Sequence, residues 1–387
     1  MNYNFDDEEV HLARPDFLKW AVADKQFEGE NLLPMWVADM DFPGPAPVIE
    51  ALMKRVAMGL FTYASVPDSL YEAVGGWMEN RHGWSIERNW VVWSQGVVSA
   101  LAAAVRAFTA PGDHVIIQPP VYPPFAAVVQ DQGRVVVSNP LKLVSDRYEM
   151  DFDDLEDKLR TTGARLLILC SPHNPVGRVW TQEELSRLAE LCQAYDVLVI
   201  ADEVHSDLIL AGNKHIPFVL AAPDMAKQTI TCVAPSKTFN MAGLQMAFTV
   251  VPDEDVRTKL SKEFGHIMPH PLSMAAVEAA YREGAEWLSQ CLTYLDGNVE
   301  FAMSYLREHL PQAHVSRPEA TYLLWVDCRA FGIAPDKLNA YLVQEAKVAV
   351  VDGAGFGEGE GFIRINLATR RSLVAEGLSR IVAALTK

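Results

Sequence analysis

The sequence is poor in the residues that cross-link a chain or anchor it in a membrane. Only five of its 387 residues are cysteines, and no two of them form a CxxC pair. Neither a disulfide framework nor a zinc knuckle is therefore indicated, and a reducing compartment is expected. No run of 18 apolar residues occurs, so neither a transmembrane helix nor a membrane partner is predicted.

Basic residues are scarce relative to acidic ones. Lysine and arginine number 33 against 50 aspartates and glutamates, which gives a formal net charge of −17. Because an acidic surface repels phosphate backbones and anionic lipid, nucleic acid is not an expected partner. The N-terminal stretch MNYNFDDEEVHLARPDF lacks the apolar segment of a signal peptide. We therefore expect a cytoplasmic protein.

What the sequence does contain is an alternation of short strands and helices. Half of its residues are apolar, which is ordinary for a globular protein. From about residue 45, runs rich in valine and isoleucine are separated by helical patterns or by loops of glycine and proline. This alternation predicts an α/β fold with a mostly parallel sheet covered on both faces. The seven predicted strands are Val91–Trp93, His114–Ile117, Val135–Val137, Leu166–Cys170, Val197–Ala201, Thr229–Val233 and Ala247–Val251.

The pattern changes near residue 285. A long amphipathic helix is predicted over Glu286–Leu310, and fewer strands follow it. We expect a large, doubly wound domain over residues 43–280 and a smaller α+β domain made of residues 1–42 and 281–387. The apolar segment Leu33–Met40 is expected to pack on the C-terminal domain or on a partner subunit.

Lys237 follows an apolar predicted strand, in the segment APSKTFNMAG. A lysine rarely stands where a core strand ends unless its amine has a partner. Desolvation lowers the pKa of such an amine, and the free amine can condense with an aldehyde. A surface lysine on a turn is the alternative, and this segment alone does not exclude it.

Two further polar segments come directly after predicted strands. Asp202, in ADEVHSD, stands where parallel strands end and ligands bind, although it could equally cap a helix. Asn174, in SPHNPVG, is held between two prolines and rigidly aimed, although Asn-Pro is also a plain turn signal. Taken singly, each motif is compatible with a ligand-binding role and with a purely structural one.

Two loops add a possible anion site and an aromatic platform. The segment SQGVVS leads through Gly96 into a predicted helix, and backbone N–H groups at that helix N-terminus can hold a phosphate. It lacks the GxGxxG and P-loop patterns, so its specificity is low. Tyr122, fixed among four prolines in PPVYPP, is either a stacking platform or part of a packed loop.

Together these segments follow one another in the same order as the motifs of a known enzyme family. The chain resembles the fold-type I pyridoxal-phosphate (PLP) enzymes of the aminotransferase class I/II superfamily. The resemblance covers nearly the whole chain and depends on the motifs NPVG, ADEVHSD and SKTFNMAG. It implies a fold-type I transferase fold, pyridoxal 5'-phosphate as cofactor, and a homodimer.

The resemblance also implies a role for each residue. Lys237 would form the Schiff base with PLP, Asp202 would pair with the pyridinium nitrogen, and Asn174 would hydrogen-bond the phenolic oxygen. Tyr122 would stack on the ring. The other implied cofactor contacts are Gly96, Val97, Val98, His205, Ser236 and, from the neighbouring subunit, Tyr63.

Arg364 lies on an apolar predicted strand, in FIRIN, where a guanidinium needs an anionic partner. An internal ion pair with an aspartate or glutamate is one interpretation. The resemblance implies instead that Arg364 clamps the α-carboxylate of an amino-acid substrate. It also places Val37 and Ala38, together with Tyr122 and Asn174, in the substrate pocket.

A narrower resemblance concerns the reaction. The segments LPMWVADMDF, PPVYPPF, SPHNPVGRVW, ADEVHSDL and SKTFNMAGLQ are similar to the cystathionine β-lyases (cysteine-S-conjugate β-lyases) of the MalY/PatB type. Two positions depart from ordinary aminotransferases, since His205 replaces a tyrosine and Gln245 replaces an arginine that neutralises the cofactor phosphate.

This resemblance implies α,β-elimination from L-cystathionine or related S-substituted cysteines, which gives a thiol, pyruvate and ammonia. It also implies a place in methionine biosynthesis. An aminotransferase, and a regulatory PLP-binding protein with little turnover, remain the alternatives.

Overall fold

The computed structural model describes residues 2–7, 12, 15–265 and 268–387. Its strands are β1 Leu33–Pro34, β2 Val91–Ser94, β3 His114–Ile117, β4 Val135–Ser138, β5 Lys142–Val144, β6 Arg147–Glu149, β7 Leu166–Cys170, β8 Leu198–Asp202, β9 Thr229–Val233, β10 Ala247–Val250, β11 His314–Val315, β12 Leu323–Asp327, β13 Val348–Ala349, β14 Val351–Asp352 and β15 Phe362–Asn366. Its α-helices are α1 Leu18–Ala21, α2 Ala23–Gln26, α3 Ala46–Ala57, α4 Asp68–His82, α5 Val97–Phe108, α6 Pro124–Gln130, α7 Phe152–Thr162, α8 Gln182–Ala194, α9 Phe218–Ala221, α10 Pro235–Thr238, α11 Glu254–Phe264, α12 Pro271–Glu283, α13 Ala285–His309, α14 Pro335–Tyr341 and α15 Arg371–Leu385.

The largest sheet of the described residues has seven strands in the order β2-β10-β9-β8-β7-β3-β4. Strand β10 is antiparallel to both of its neighbours, and the other pairs are parallel. The central strands β7 and β9 are buried at every position, because helices cover both faces of the sheet. The carboxyl ends of the parallel strands therefore meet at one edge, and the loops that follow them share that edge.

A second sheet has the order β11-β12-β15-β14, with antiparallel pairing throughout. Strand β1 pairs in parallel with β13, so the apolar N-terminal segment joins the C-terminal part of the chain, as expected. Helix α13 belongs to both cores: Trp287 and Leu295 pack with the large sheet, whereas Val299 and Leu306 pack with the second sheet. The domain limits near residues 42 and 280 stay a prediction.

Local chemistry accounts for several details of these elements. Pro67 precedes α4, and Asp68 is its first helical residue, where a carboxylate interacts favourably with the helix dipole. The predicted strand Val197–Ala201 is shifted by one, so that Asp202 itself ends β8. The glycine-rich stretch 353–361 forms a tight turn around the buried Phe356, whose carbonyl accepts a hydrogen bond from Val121 N.

The described part of the chain lacks two features that would point to a membrane or a metal. It contains no helix long and apolar enough to cross a membrane. It also contains no group of three histidine, cysteine or acidic side chains placed to hold a metal ion.

Candidate functional site

A cavity of about 380 Å³ opens where the parallel strands of the large sheet end. The N-terminal segment, the start of α5 and the C-terminal strand β15 complete its wall. Twelve of the residues predicted from the sequence line it: Val37, Ala38, Gly96, Val97, Val98, Tyr122, Asn174, Asp202, His205, Ser236, Lys237 and Arg364. Segments that are far apart in the sequence thus converge on one concave site.

Lys237 reaches this cavity from α10, a single helical turn directly after β9. Its Nζ donates a hydrogen bond to Ala38 O at 2.5 Å, so it is not a solvated surface lysine. Burial lowers the pKa of Lys237 below its ordinary value, although the nearby carboxylate of Asp39 opposes the shift. An amine held in this way is available as a nucleophile or a base.

Asp202 lies at the end of β8 and is 5% exposed. Among the described residues its carboxylate accepts one hydrogen bond, from Val204 N at 3.1 Å, and β8 is followed by a turn rather than by a helix. Burial raises the pKa of Asp202 to about 7. The carboxylate therefore has acceptor capacity left for a cationic or N–H group of a ligand.

Arg364 and Asn174 are joined across the cavity wall. The Nη1 of Arg364 donates to Asn174 Oδ1 at 3.1 Å, and its Nη2 donates to Trp36 O at 3.0 Å. The Nε has no partner, and no carboxylate of the described residues forms an ion pair with this guanidinium. Burial lowers the pKa of Arg364 to about 10, so it stays charged at neutral pH. This buried cation is available to an anionic ligand.

The start of α5 supplies uncharged anion donors. Gly96 is the N-terminal cap, Val97 and Val98 form the first turn, and this turn carries no acidic residue. A Cβ built on Gly96 would meet nothing within 4 Å, so the N–H groups beside it border open space. Ser236 and Gln245 line the same cavity. Free N–H groups at a helix N-terminus suit a phosphate.

His205 and Tyr122 complete the polar lining. Burial, followed by the cations of Lys237 and Arg364, lowers the pKa of His205 to about 3, so its imidazole is neutral. The Nδ1 of His205 is buried and has no partner among the described residues. Tyr122 packs edge-on against Phe125 in the loop after β3, and burial raises the pKa of its phenol.

A family model described as aminotransferase class I and II matches residues 30–381. The chain belongs to this family. Cystathionine beta-lyase PatB of Bacillus subtilis is 43% identical over 387 residues, which are 99% of this chain and 100% of PatB. The fold class and the family resemblance indicated by the sequence are thereby confirmed.

Solved structures agree with this relationship. Cystalysin from Treponema denticola, which contains a pyridoxal 5'-phosphate cofactor, superposes with a TM-score of 0.96 at 35% identity. The PLP-bound C–S lyase from Staphylococcus hominis gives a TM-score of 0.93 at 34% identity. Each match covers 100% of this chain and 99% of the other. The roles of individual residues in this chain stay predictions.

Tyr63 is the one predicted site residue that does not line this cavity. Its side chain is 93% exposed, in the segment after α3. It borders a neighbouring groove that shares Gln95 and Gln245 with the main cavity. Its contact with the phosphate of a second subunit stays a prediction.

Several further lining residues were given no role from the sequence. Trp36, Gln95, Val204, Met246 and Val351 also line the cavity. Only their sequence neighbours Val37, Gly96, His205 and Gln245 were singled out, because four of the five are apolar and cannot be distinguished from core residues by sequence alone. Val351 comes from β14, which no pattern linked to the large sheet.

Two asparagines outside the lining fix the N-terminal segment over the cavity. The amide of Asn240 accepts from Met40 N at 3.0 Å and donates to Phe42 O at 2.8 Å. The amide of Asn366 donates to the carbonyls of Val37 and Asp39. The segment that carries Ala38 is therefore tied both to the Lys237 loop and to β15.

Proposed function

We propose that this protein is a PLP-dependent C–S β-lyase. Its substrate is L-cystathionine or a related S-substituted L-cysteine, and cystathionine with water gives homocysteine, pyruvate and ammonia. The observation that carries the proposal is the meeting of Lys237, Asp202 and Arg364 in one buried cavity. The names of PatB and of the staphylococcal C–S lyase support the choice of reaction.

The cavity suits PLP at three points. The open acceptor of Asp202 can pair with the pyridine nitrogen, the start of α5 can receive the phosphate, and Lys237 can receive the aldehyde. Bound PLP supplies an aldehyde for the substrate amine and a ring that accepts the negative charge developing at Cα. With the ring nitrogen protonated, the raised pKa of Asp202 would fall again, because the carboxylate gains a cationic partner.

Arg364 would bind the substrate carboxylate. Asn174 and the Trp36 carbonyl hold its guanidinium before substrate arrives, so little side-chain entropy is lost on binding. A two-point contact with the carboxylate then fixes the direction of the Cα–H bond.

Lys237 would act as the base at Cα. Its lowered pKa increases the fraction of neutral amine near physiological pH. The Ala38 carbonyl holds Nζ inside the cavity, within the wall that also carries Arg364. Loss of the Cα proton allows the thiolate to leave Cβ.

An aminotransferase is the second candidate, because the matching family model carries that description. Both reactions begin with removal of the Cα proton, but transamination passes the amino group on to a 2-oxo acid, whereas elimination expels a thiolate from Cβ. His205 and Gln245 line the cavity where ordinary aminotransferases are expected to carry tyrosine and arginine. These departures favour the lyase.

Turnover of L-cystathionine without any 2-oxo acid tests the proposal. Pyruvate and free thiol should form over many turnovers, and Lys237→Ala should abolish both. Lys227→Ala, an exposed lysine just before β9, is the matched control and should retain activity. Product that forms only with an added 2-oxo acid would establish the aminotransferase, and a yellow protein without turnover would establish a binding protein.

We further propose a cytoplasmic homodimer in which Tyr63 reaches the phosphate site of the neighbouring subunit. Ile49, Met53 and Val56 recur on one face of α3, and they are exposed together with Phe61 and Tyr63. A contiguous apolar patch of this kind favours a protein interface. Buried, unpaired cysteines are consistent with the reducing compartment.

Sedimentation at micromolar concentration should give twice the chain mass of 42.9 kDa. Mixing inactive Lys237→Ala subunits with impaired Tyr63→Ala subunits should restore turnover, because one site of each hybrid dimer is then intact. A monomeric species, or mixed subunits without any recovery, would contradict the shared site.

A further inference from the structure

A second buried aspartate lies five residues after Asp202 and outside the cavity. Asp207 is 2% exposed, and its carboxylate accepts hydrogen bonds from Trp77 Nε1 at 3.1 Å and from Thr238 Oγ1 at 2.8 Å. The Nε2 of His82 lies 2.9 Å from the same carboxylate. Burial by itself would raise the pKa of Asp207, but these partners, His82 first, lower it below its ordinary value.

The Thr238 contact links this carboxylate to the residue beside Lys237. Thr238 is fully buried and is the last residue of the four-residue helix α10. A helix this short has almost no stability of its own, so tertiary contacts must fix its orientation. The hydroxyl of Thr238 is the side-chain anchor of this turn to the 202–207 segment.

The carboxylate of Asp207 also makes polar contacts with the C-terminal half of α4. Trp77 and His82 both belong to that helix, and the His82 ring packs edge-on against His215 at 5.7 Å. The Nε2 of His215 in turn lies 3.0 Å from the buried carboxylate of Glu203. Polar contacts at Glu203 and Asp207 thus hold the short segment 203–207, which follows Asp202, at both of its ends.

We propose that Asp207, held by His82, is a positioning residue that fixes the Lys237 turn through Thr238. The inference rests on the proposed function in that Lys237 is the reacting amine. Without the Thr238 anchor, α10 can rotate, and the Lys237 amine moves from its place against Ala38 toward solvent. The position and the protonation of Lys237 Nζ then change, while Arg364 and its part of the cavity wall are unaffected.

The test measures the Lys237 amine directly. Competitive labelling of the apoprotein with acetic anhydride from pH 6 to 11, read by mass spectrometry of the Lys237 peptide, reports its apparent pKa. Thr238→Val removes the hydroxyl at nearly constant shape and should raise that pKa by half a unit or more. Thr238→Ser keeps the donor and should restore the wild-type value.

Thr229→Val is the matched control. Thr229 is also a buried threonine with a side-chain hydrogen bond, to Met225 O at 2.8 Å, but it begins β9 at the opposite end from Lys237. Its variant should leave Lys237 labelling unchanged. His82→Gln provides a second perturbation, and it should shift labelling in the same direction as Thr238→Val.

In the PLP-loaded enzyme, Thr238→Val should lower kcat about tenfold with KM within twofold of wild type. Labelling in Thr238→Val that matches wild type, or Thr238→Ser that labels like Thr238→Val, would overturn the inference. The labelling result holds whether or not the protein cleaves thioethers. Failure of the proposed function, seen as no turnover in the wild type, is therefore distinguishable from failure of this positioning role.

Discussion

Asp202 and Asp207 stand in one short segment, are both buried, and have opposite pKa shifts. Asp202 accepts a single backbone hydrogen bond, and burial raises its pKa to about 7. Asp207 has tryptophan, threonine, histidine and arginine partners, which lower its pKa in spite of burial. The number of partners, and not the depth of burial, decides which charge is stable.

The two aspartates show how a folded chain can separate a residue that binds a ligand from a residue that stabilises the surrounding structure. A carboxylate left with unused acceptor capacity beside a cavity is destabilised until a ligand supplies the missing partner. A carboxylate that is fully hydrogen-bonded stabilises the surrounding backbone and has nothing left for a ligand. Substitutions at these two aspartates and their partners should therefore affect activity and stability differently.

Replacing the carboxylate at the cavity should have the largest effect on activity. Asp202→Ala should lower kcat/KM about 1000-fold, because the positive ring nitrogen of bound PLP loses its partner. Pyruvate release from L-cystathionine measures the loss. The exposed Asp224→Ala serves as control, and an Asp202→Ala enzyme within tenfold of wild type would contradict the assignment.

Replacing the fully bonded carboxylate should mainly affect folding. Asp207→Asn should lower the free energy of unfolding by about 3–5 kcal/mol, because an amide cannot accept all the donors that converge there. Since the folded pKa of Asp207 lies below its ordinary value of 3.8, the full difference should persist above pH 4. The difference should shrink as the pH falls from that ordinary value through the lower folded pKa. Denaturant unfolding at pH 3 and pH 7 measures both points, and equal stability at pH 7 would refute the structural role.

The same change at Asp202 should stabilise the cofactor-free chain at alkaline pH. Because the folded pKa of about 7 exceeds the ordinary value of 3.8, the folded chain holds more protons than the unfolded chain between these pH values. The free energy of unfolding therefore falls as the pH rises through that window. Asp202→Asn should remove this fall and gain about 2–4 kcal/mol at pH 8, with no gain near pH 4. A variant less stable than wild type at pH 8 would show that Asp202 is already stabilised without a ligand.

The smallest expected effect concerns a single donor to Asp207. Trp77→Phe removes the indole N–H and keeps most of the apolar volume, so it should cost about 1.5 kcal/mol of stability. Lyase turnover should stay within twofold of wild type. A loss of activity larger than the loss of stability would mean that Trp77 acts on the site itself.

The elements of the large sheet could be predicted closely from the sequence. All seven predicted strands form, because continuous apolar runs between turn signals have few other places to be buried. The motifs that follow those strands could also be predicted to lie near one another, because parallel strands end at a common edge of the sheet. Arg364 was linked to the site only through the family resemblance, because its strand lies in the other sheet.

The opposite pKa shifts of the two aspartates could not be predicted from the sequence. ADEVHSD contains two aspartates five residues apart, and the position of Asp202 directly after a predicted strand pointed to a ligand site, but nothing in the motif shows that Asp207 is fully hydrogen-bonded. His82, Trp77 and Thr238, which distinguish them, come from distant parts of the chain. The strands, the polar motifs that follow them and the family could all be inferred from the sequence, because they depend on local patterns. Which buried charges have partners and which remain open depends on the packing of distant elements against one another, and is therefore visible only in the folded chain.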